Sequence, residues 1–205
     1  MKHYLVIGDS HSWVFDYYNS TTKTQTFDVC SVRGATAYGL MSSGSSTGAN
    51  IKYTSAIEDS NRRNIIFMLG EVDCGFLIWA HSDPDGHVFR RSLERYQSFI
   101  ADYALNKFEE IIVCAVIPPF VESYVGDKQR GKADSSLLDR WHLTSLFNKC
   151  MSQWCADNGV RFISIEKDIV RNGRVLKKYC KQSPSEWHLE EAKTCPLWIK
   201  QLTKA

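Results

Sequence analysis

The sequence predicts an α/β fold: a three-layer α/β/α arrangement around a five-stranded, mostly parallel sheet of the flavodoxin-like kind. Three observations predict it. Five short apolar runs recur along the chain, and they are continuous rather than alternating, as strands covered on both faces require. Helical stretches stand between them, and strand–helix alternation favours parallel strands joined by right-handed crossovers. Several runs end on a glycine-bearing turn, as strands do at the ligand-binding carboxyl edge of such sheets.

The first run is Tyr4-Leu5-Val6-Ile7, which enters Gly8-Asp9-Ser10-His11. Gly8 permits a sharp turn, and Asp9 and Ser10 are residue types that cap a helix N-terminus. The aromatic stretch His11 to Asn19 is the following helix, and 20–26 is a polar turn. The second strand, Phe27 to Val32, ends at Arg33-Gly34-Ala35-Thr36. Residues 42–48, SSGSSTG, form a flexible loop by composition. Ala49 to Ser60 reads as a helix with Ile51, Ala56 and Ile57 on its sparse apolar side.

The third strand, Asn64 to Leu69, ends at Gly70-Glu71-Val72-Asp73 and is followed by Phe76 to Trp79 and a polar turn. From Val88 to Lys107 the apolar residues Phe89, Leu93, Tyr96, Ile100 and Tyr103 recur at spacings of three and four, the mark of an amphipathic helix. The fourth strand, Glu110 to Ile117, is stopped by Pro118-Pro119. Residues 120–136 read as a long loop of the kind that often carries function. Leu137, Trp141, Phe147, Met151 and Trp154 mark a helix that Asn158-Gly159 would end. Val160 to Ile165 is the fifth strand, 169–184 is basic and loop-rich, and Leu189 to Leu202 is a closing helix.

A length of 205 residues suits one domain spanning 1–205. The net charge of +2 lacks the basic footprint of a nucleic-acid binder. No apolar run approaches the ~18 residues of a membrane span. The apolar stretch after Lys2 is too short for a signal peptide, so a cytoplasmic location is expected. Seven cysteines, an odd number with no Cys-x-x-Cys, indicate neither a disulfide framework nor a zinc site. No metal or cofactor is expected, and nothing in the sequence marks an oligomeric state.

In a parallel sheet the strand ends share one edge. That edge then carries Ser10, Gly34, Gly70 to Asp73 and, ahead of the last helix, Ser185-Glu186-Trp187-His188. This is a set for acyl transfer. A serine hydroxyl needs a base within hydrogen-bond reach, the tetrahedral intermediate needs fixed donors, and the base needs a group to hold its tautomer. Alone, Ser10 would read as a helix cap. With Gly34 and His188 it reads as a nucleophile, with the Ser10 and Gly34 amides as oxyanion donors and His188 as base.

Gly8-Asp9-Ser10, Gly34, Gly70-Glu71-Val72-Asp73 and His188-Leu189 together resemble, in order, the blocks of the SGNH (GDSL-type) hydrolase family. The Gly-Asp-Ser-His-Ser form is also similar to SGNH domains that act in carbohydrate O-acetylation. The resemblance implies Ser10 as nucleophile, His188 as base, and the Ser10 and Gly34 amides as oxyanion hole. Two positions depart from the family. Val72 stands where the family has an oxyanion-donating asparagine, and Ser185 stands where it has the aspartate three residues before the histidine. Glu186, one residue nearer, is the candidate orienting acid.

Asp9, His11, Gly70, Glu71 and Asp73 are candidates for substrate contact or loop ordering, with His11 expected to project away from the nucleophile. Phe76 to Trp79 and Phe120 to Tyr124 fall near the same edge and would suit stacking on sugar rings. Arg171, Arg174, Lys177, Lys178 and Lys181 form a solvated basic face or a contact for an acidic polysaccharide or phosphorylated carrier. The implied activity is a serine esterase hydrolysing, or transferring, a small O-acyl group, acetyl first, on a small-molecule or carbohydrate ester. The rival reading, favoured by Val72 and Ser185, is a catalytically weak module that binds a glycan or a protein partner.

Overall fold

The computed structural model describes residues 2–42, 44–81, 85–121, 135–181 and 187–204. In chain order it runs β1 (Tyr4–Gly8), a 3-10 turn (Ser10–Ser12), α1 (Trp13–Thr22), β2 (Phe27–Ser31) and α2 (Ala49–Asp59). There follow β3 (Asn64–Met68), a π-helical turn (Asp73–Leu77), α3 (Ile78–Ala80), α4 (His87–Tyr103) and β4 (Glu110–Cys114). The last third comprises α5 (Leu137–Asp157), β5 (Arg161–Ile163), α6 (Glu166–Ile169), β6 (Val170–Arg171), β7 (Arg174–Val175), a 3-10 turn (Lys177–Tyr179) and α7 (Glu191–Thr203).

The main sheet has order β2-β1-β3-β4-β5, and every pairing in it is parallel. This is the flavodoxin-like order. Its topological switch point lies between β1 and β3, where the chain turns from one side of β1 to the other. The strands are continuous apolar runs because both faces are covered. Leu5, Ile7, Ile65, Phe67 and Val113 pack with Tyr53 of α2, Tyr96 of α4 and Phe147 of α5 on one face. Tyr4, Val6, Ile66, Met68 and Ile112 pack with Phe15 of α1 and Trp198 of α7 on the other. Each such aliphatic side chain contributes roughly 1.5–3 kcal/mol by leaving water, so the sheet centre is the stable platform and its carboxyl edge is free to carry function.

Three segments differ from the expectation. The chain makes a 3-10 turn before α1, because the Asp9 carboxylate accepts the His11 amide at 2.9 Å and holds the backbone tight there. Helix α4 ends at Tyr103 rather than Lys107, its last turn closed by Ala104 N–H to the Ile100 carbonyl at 2.9 Å. The basic stretch after β5 holds a small antiparallel hairpin, β6-β7. Asn172 and Gly173 both take positive φ there, at 52° and 69°. That is the Asn-Gly type I′ turn, a strong local hairpin signal.

Candidate active site

The turn after β1 is built tightly. A Cβ on Gly8 would come within 2.6 Å of Ser12 Cβ and 2.9 Å of the Met68 carbonyl, so no larger residue fits. The Gly8 carbonyl accepts from the Val32 amide at 2.9 Å and the Tyr53 hydroxyl at 2.7 Å. The Asp9 carbonyl accepts from Ser12 Oγ at 2.6 Å and Ser31 Oγ at 2.8 Å. These bonds tie the turn to β2 and α2, leaving Ser10 at the end of β1, beside the switch point. Ser12, Ser31 and Tyr53 went unnoticed in the sequence, because ordinary Ser and Tyr positions carry no pattern that marks a second support layer.

His188 reaches this turn from the segment before α7. Its Nε2 lies 2.7 Å from Ser10 Oγ, although 178 residues separate the two in sequence. That is hydrogen-bond reach, the geometry a nucleophile and its base require. Both are buried, Ser10 at 7% and His188 at 6% exposure. A small pocket beside them is lined by Val14, Met68, Ile117, Leu189 and Trp198 together with the polar His11, Glu191 and Thr194.

Gly34 lies in the turn after β2. Ala35 N–H donates to the Val32 carbonyl at 3.1 Å, and Gly34, the third residue of that turn, has φ of 72°. This is the position where a type II turn requires glycine. Neither the Ser10 nor the Gly34 amide meets an acceptor among the described residues. Asp73 anchors the rest of that loop. Its carboxylate accepts from the Ala37 amide at 2.7 Å, the Tyr38 amide at 3.0 Å and Ser92 Oγ at 2.9 Å. Burial raises its pKa to about 6, although the Tyr38 and Ala37 amides and the Ser92 hydroxyl all pull it down. Gly70 lies against the core instead, where a Cβ would meet Val116 at 2.8 Å and Phe147 at 2.9 Å.

His11 does not project away from the nucleophile. Its ring lies 4.8 Å from that of His188, centroid to centroid, and its Nδ1 sits 3.2 Å from the Asp9 carboxylate. The 3-10 turn swings the side chain back over the site, which a regular helix start would not do. Burial alone would strip charge from this imidazole. The hydrogen bond and charge of Asp9, the charge of Glu71 and the Trp187 backbone outweigh it and raise the pKa to about 9. Glu71 and His11 share a second small pocket with Phe120, Arg140 and Trp187. Ser185 and Glu186 lie outside the described residues, as does most of the 120–136 loop.

The architecture around this geometry is shared with solved structures. A GDSL-like lipase from Bacteroides thetaiotaomicron superposes with a TM-score of 0.67 at 14% identity, over 98% of this chain and 87% of that one. The fold is that of the SGNH (GDSL-type) hydrolases. An acetyl xylan esterase superposes over 98% of both chains at 12% identity and a TM-score of 0.56. An extracellular lipase from Streptomyces rimosus does so over 98% of this chain and all of its own (100%), at 11% identity and a TM-score of 0.55. No family model and no curated protein matches the sequence. In this SGNH fold Val72 immediately precedes the π-helical turn after β3, and its side chain can donate no hydrogen bond.

Trp79 turns its indole N–H to the Cys74 carbonyl at 2.8 Å, closing its own turn. Phe120 instead lines a broad groove together with Leu138, Trp141, Arg174, Lys177 and Lys181. Phe120 and Val121 line both this groove and the small pocket that holds His11. Among the described residues no cluster of His, Cys, Asp and Glu could hold a metal ion, and no helix is long and apolar enough to cross a membrane.

Proposed function

We propose that this protein is a serine ester hydrolase of the SGNH type that removes, or transfers, a small O-acyl group, acetyl first, carried by a carbohydrate. The observation that carries the reading is the 2.7 Å contact between Ser10 Oγ and His188 Nε2 at the carboxyl end of β1. Ser10 Oγ attacks the ester carbonyl carbon while His188 Nε2 takes its proton. The negative charge moves to the carbonyl oxygen, where the Ser10 and Gly34 amides hold it. Collapse expels the alcohol, which receives the proton from His188, and leaves acyl-Ser10. Water, or a sugar hydroxyl in the transfer variant, gives its proton to His188, attacks the acyl carbon and regenerates Ser10.

The carbohydrate part of the reading is supported by the aromatic and basic groove that shares Phe120 and Val121 with the pocket at His11. It is also supported by the likeness of fold to an acetyl xylan esterase. Val72 favours one other reading, a weakly catalytic module that binds a glycan or a partner protein, because the site lacks a side-chain donor at that position. A fluorophosphonate probe separates the two. Labelling of the wild type, loss of labelling in Ser10→Ala, and hydrolysis of p-nitrophenyl acetate only by the wild type are expected. An unlabelled, inactive wild type that still binds acetylated oligosaccharides would establish the binding module instead.

A further inference from the structure

Three rings surround the imidazole of His188. That of Trp13 lies 5.7 Å away and nearly parallel, at 21°. Those of His11 and Trp187 lie at 4.8 Å and 6.0 Å. Trp13 is the first residue of α1 and is 37% exposed, so its ring stands at the surface with one side toward His188. We infer that Trp13 is a positioning residue for His188, its indole face bracing the imidazole and favouring the protonated ring.

The inference rests on His188 serving as base. In each half-reaction the ring passes from neutral to imidazolium and back. An indole face carries the negative end of the ring quadrupole and attracts a cation within about 6 Å, more strongly than Tyr or Phe does. The neutral imidazole gains little from it. The interaction therefore grows as the proton arrives, which is what distinguishes stabilisation of the transition state from binding in the ground state. A carboxylate beside a catalytic histidine has the same effect by charge. The face of Trp13 supplies stabilisation of that kind without a charge of its own.

Other charged groups face His188 as well. The Asp9–His11 pair lies on the 3-10 turn, and Glu71 acts on His11 from the end of β3. Glu191 of α7 lines the Ser10 pocket and pairs with Lys181 at 2.7 Å. None of them contacts Trp13 through a hydrogen bond or ion pair among the described residues, so all are common to the wild type and the Trp13 variants, and a comparison isolates the indole.

The test is the rate of fluorophosphonate labelling as a function of pH for wild type, Trp13→Phe and Trp13→Leu. Loss of the indole face should move the acidic midpoint down by roughly half a pH unit in Trp13→Leu. Trp13→Phe should fall between that variant and the wild type. Turnover of p-nitrophenyl acetate in Trp13→Leu should drop about three- to tenfold in kcat with KM little changed. If Trp13 only shields the site from water, removing it would hydrate the imidazolium and move the midpoint up. An upward or absent shift overturns the inference while the esterase reading stands. Failure of the wild type to label, or labelling that survives Ser10→Ala, instead overturns the esterase reading. In that event the NMR titration of the His188 ring, assigned with His188→Gln, still decides the inference by the same direction of shift.

Discussion

Val72 has a side chain with no hydrogen to donate, at the end of β3 where the SGNH resemblance calls for an amide. The backbone there is ordinary for a helix start, with φ −63° and ψ −32°, so asparagine can take its place without strain. Loss of a single oxyanion donor typically costs about 10²–10³ in kcat. Val72→Asn is therefore expected to raise kcat for p-nitrophenyl acetate by about tenfold or more, with KM little changed. Unchanged turnover would mean that another group already fills that place. The same scale shows what could be read from the sequence. Ser10, Gly34 and His188 could be picked out as candidates because each ends a strand or precedes a helix in the order of the SGNH blocks that the sequence resembles. The orientation of His11 was not legible, since it depends on a 3-10 turn held by one carboxylate–amide bond, and a heptad or strand pattern says nothing of such a bond.

Among elements, the loop that carries Gly34 is only as firm as its anchor. Asp73 sits at the start of the π-helical turn and fastens that loop and α4 together through the Ala37 and Tyr38 amides and Ser92. Its pKa is about 6 in the fold against 3.8 unfolded, so between those values the fold keeps a proton that the unfolded chain sheds. The resulting contribution to stability is full below the unfolded value and is lost as pH rises through about 6, a fall on the order of 3 kcal/mol. Asp73→Asn cannot titrate, and urea unfolding between pH 4 and 7 should show the slope removed. The variant also sets an N–H₂ group against the Ala37 or Tyr38 amide, and hydrogen exchange at that amide should quicken. A variant that keeps the wild-type slope would put the titration elsewhere. Asp73 was read as loop-ordering or substrate-contacting from its block alone. The identity of the loop it holds is a matter of tertiary approach, across 36 residues for Ala37, and no local pattern encodes it.

At the scale of the whole molecule, a parallel sheet follows from five continuous apolar runs alternating with helices, whereas the strand order cannot be read from the sequence directly and the flavodoxin-like order is only the natural expectation for five strands. The β6-β7 hairpin escaped notice because its strands are two residues each and the basic side chains hid the Asn172-Gly173 turn. That hairpin matters, because it brings Arg174 to the groove that Trp141 of α5 also lines. Lys181 is held by Glu191, which leaves Arg174 and Lys177 as the residues that would discriminate acidic from neutral sugars. Exposed charges act weakly one at a time and are screened by salt. The double change Arg174→Glu with Lys177→Glu should therefore raise KM for acetylated uronate-bearing oligosaccharides by about tenfold at low salt, and by less at 0.5 M salt. Neutral acetylated oligosaccharides should be nearly unaffected. Trp141→Ala should raise KM for both classes, since a stacking face is lost whatever the sugar's charge. Hydrolysis of p-nitrophenyl acetate, which needs only Ser10, His188 and the small pocket beside them, should be unchanged in both variants. Equal losses on that simple ester would show that the groove residues act through the fold rather than on the substrate.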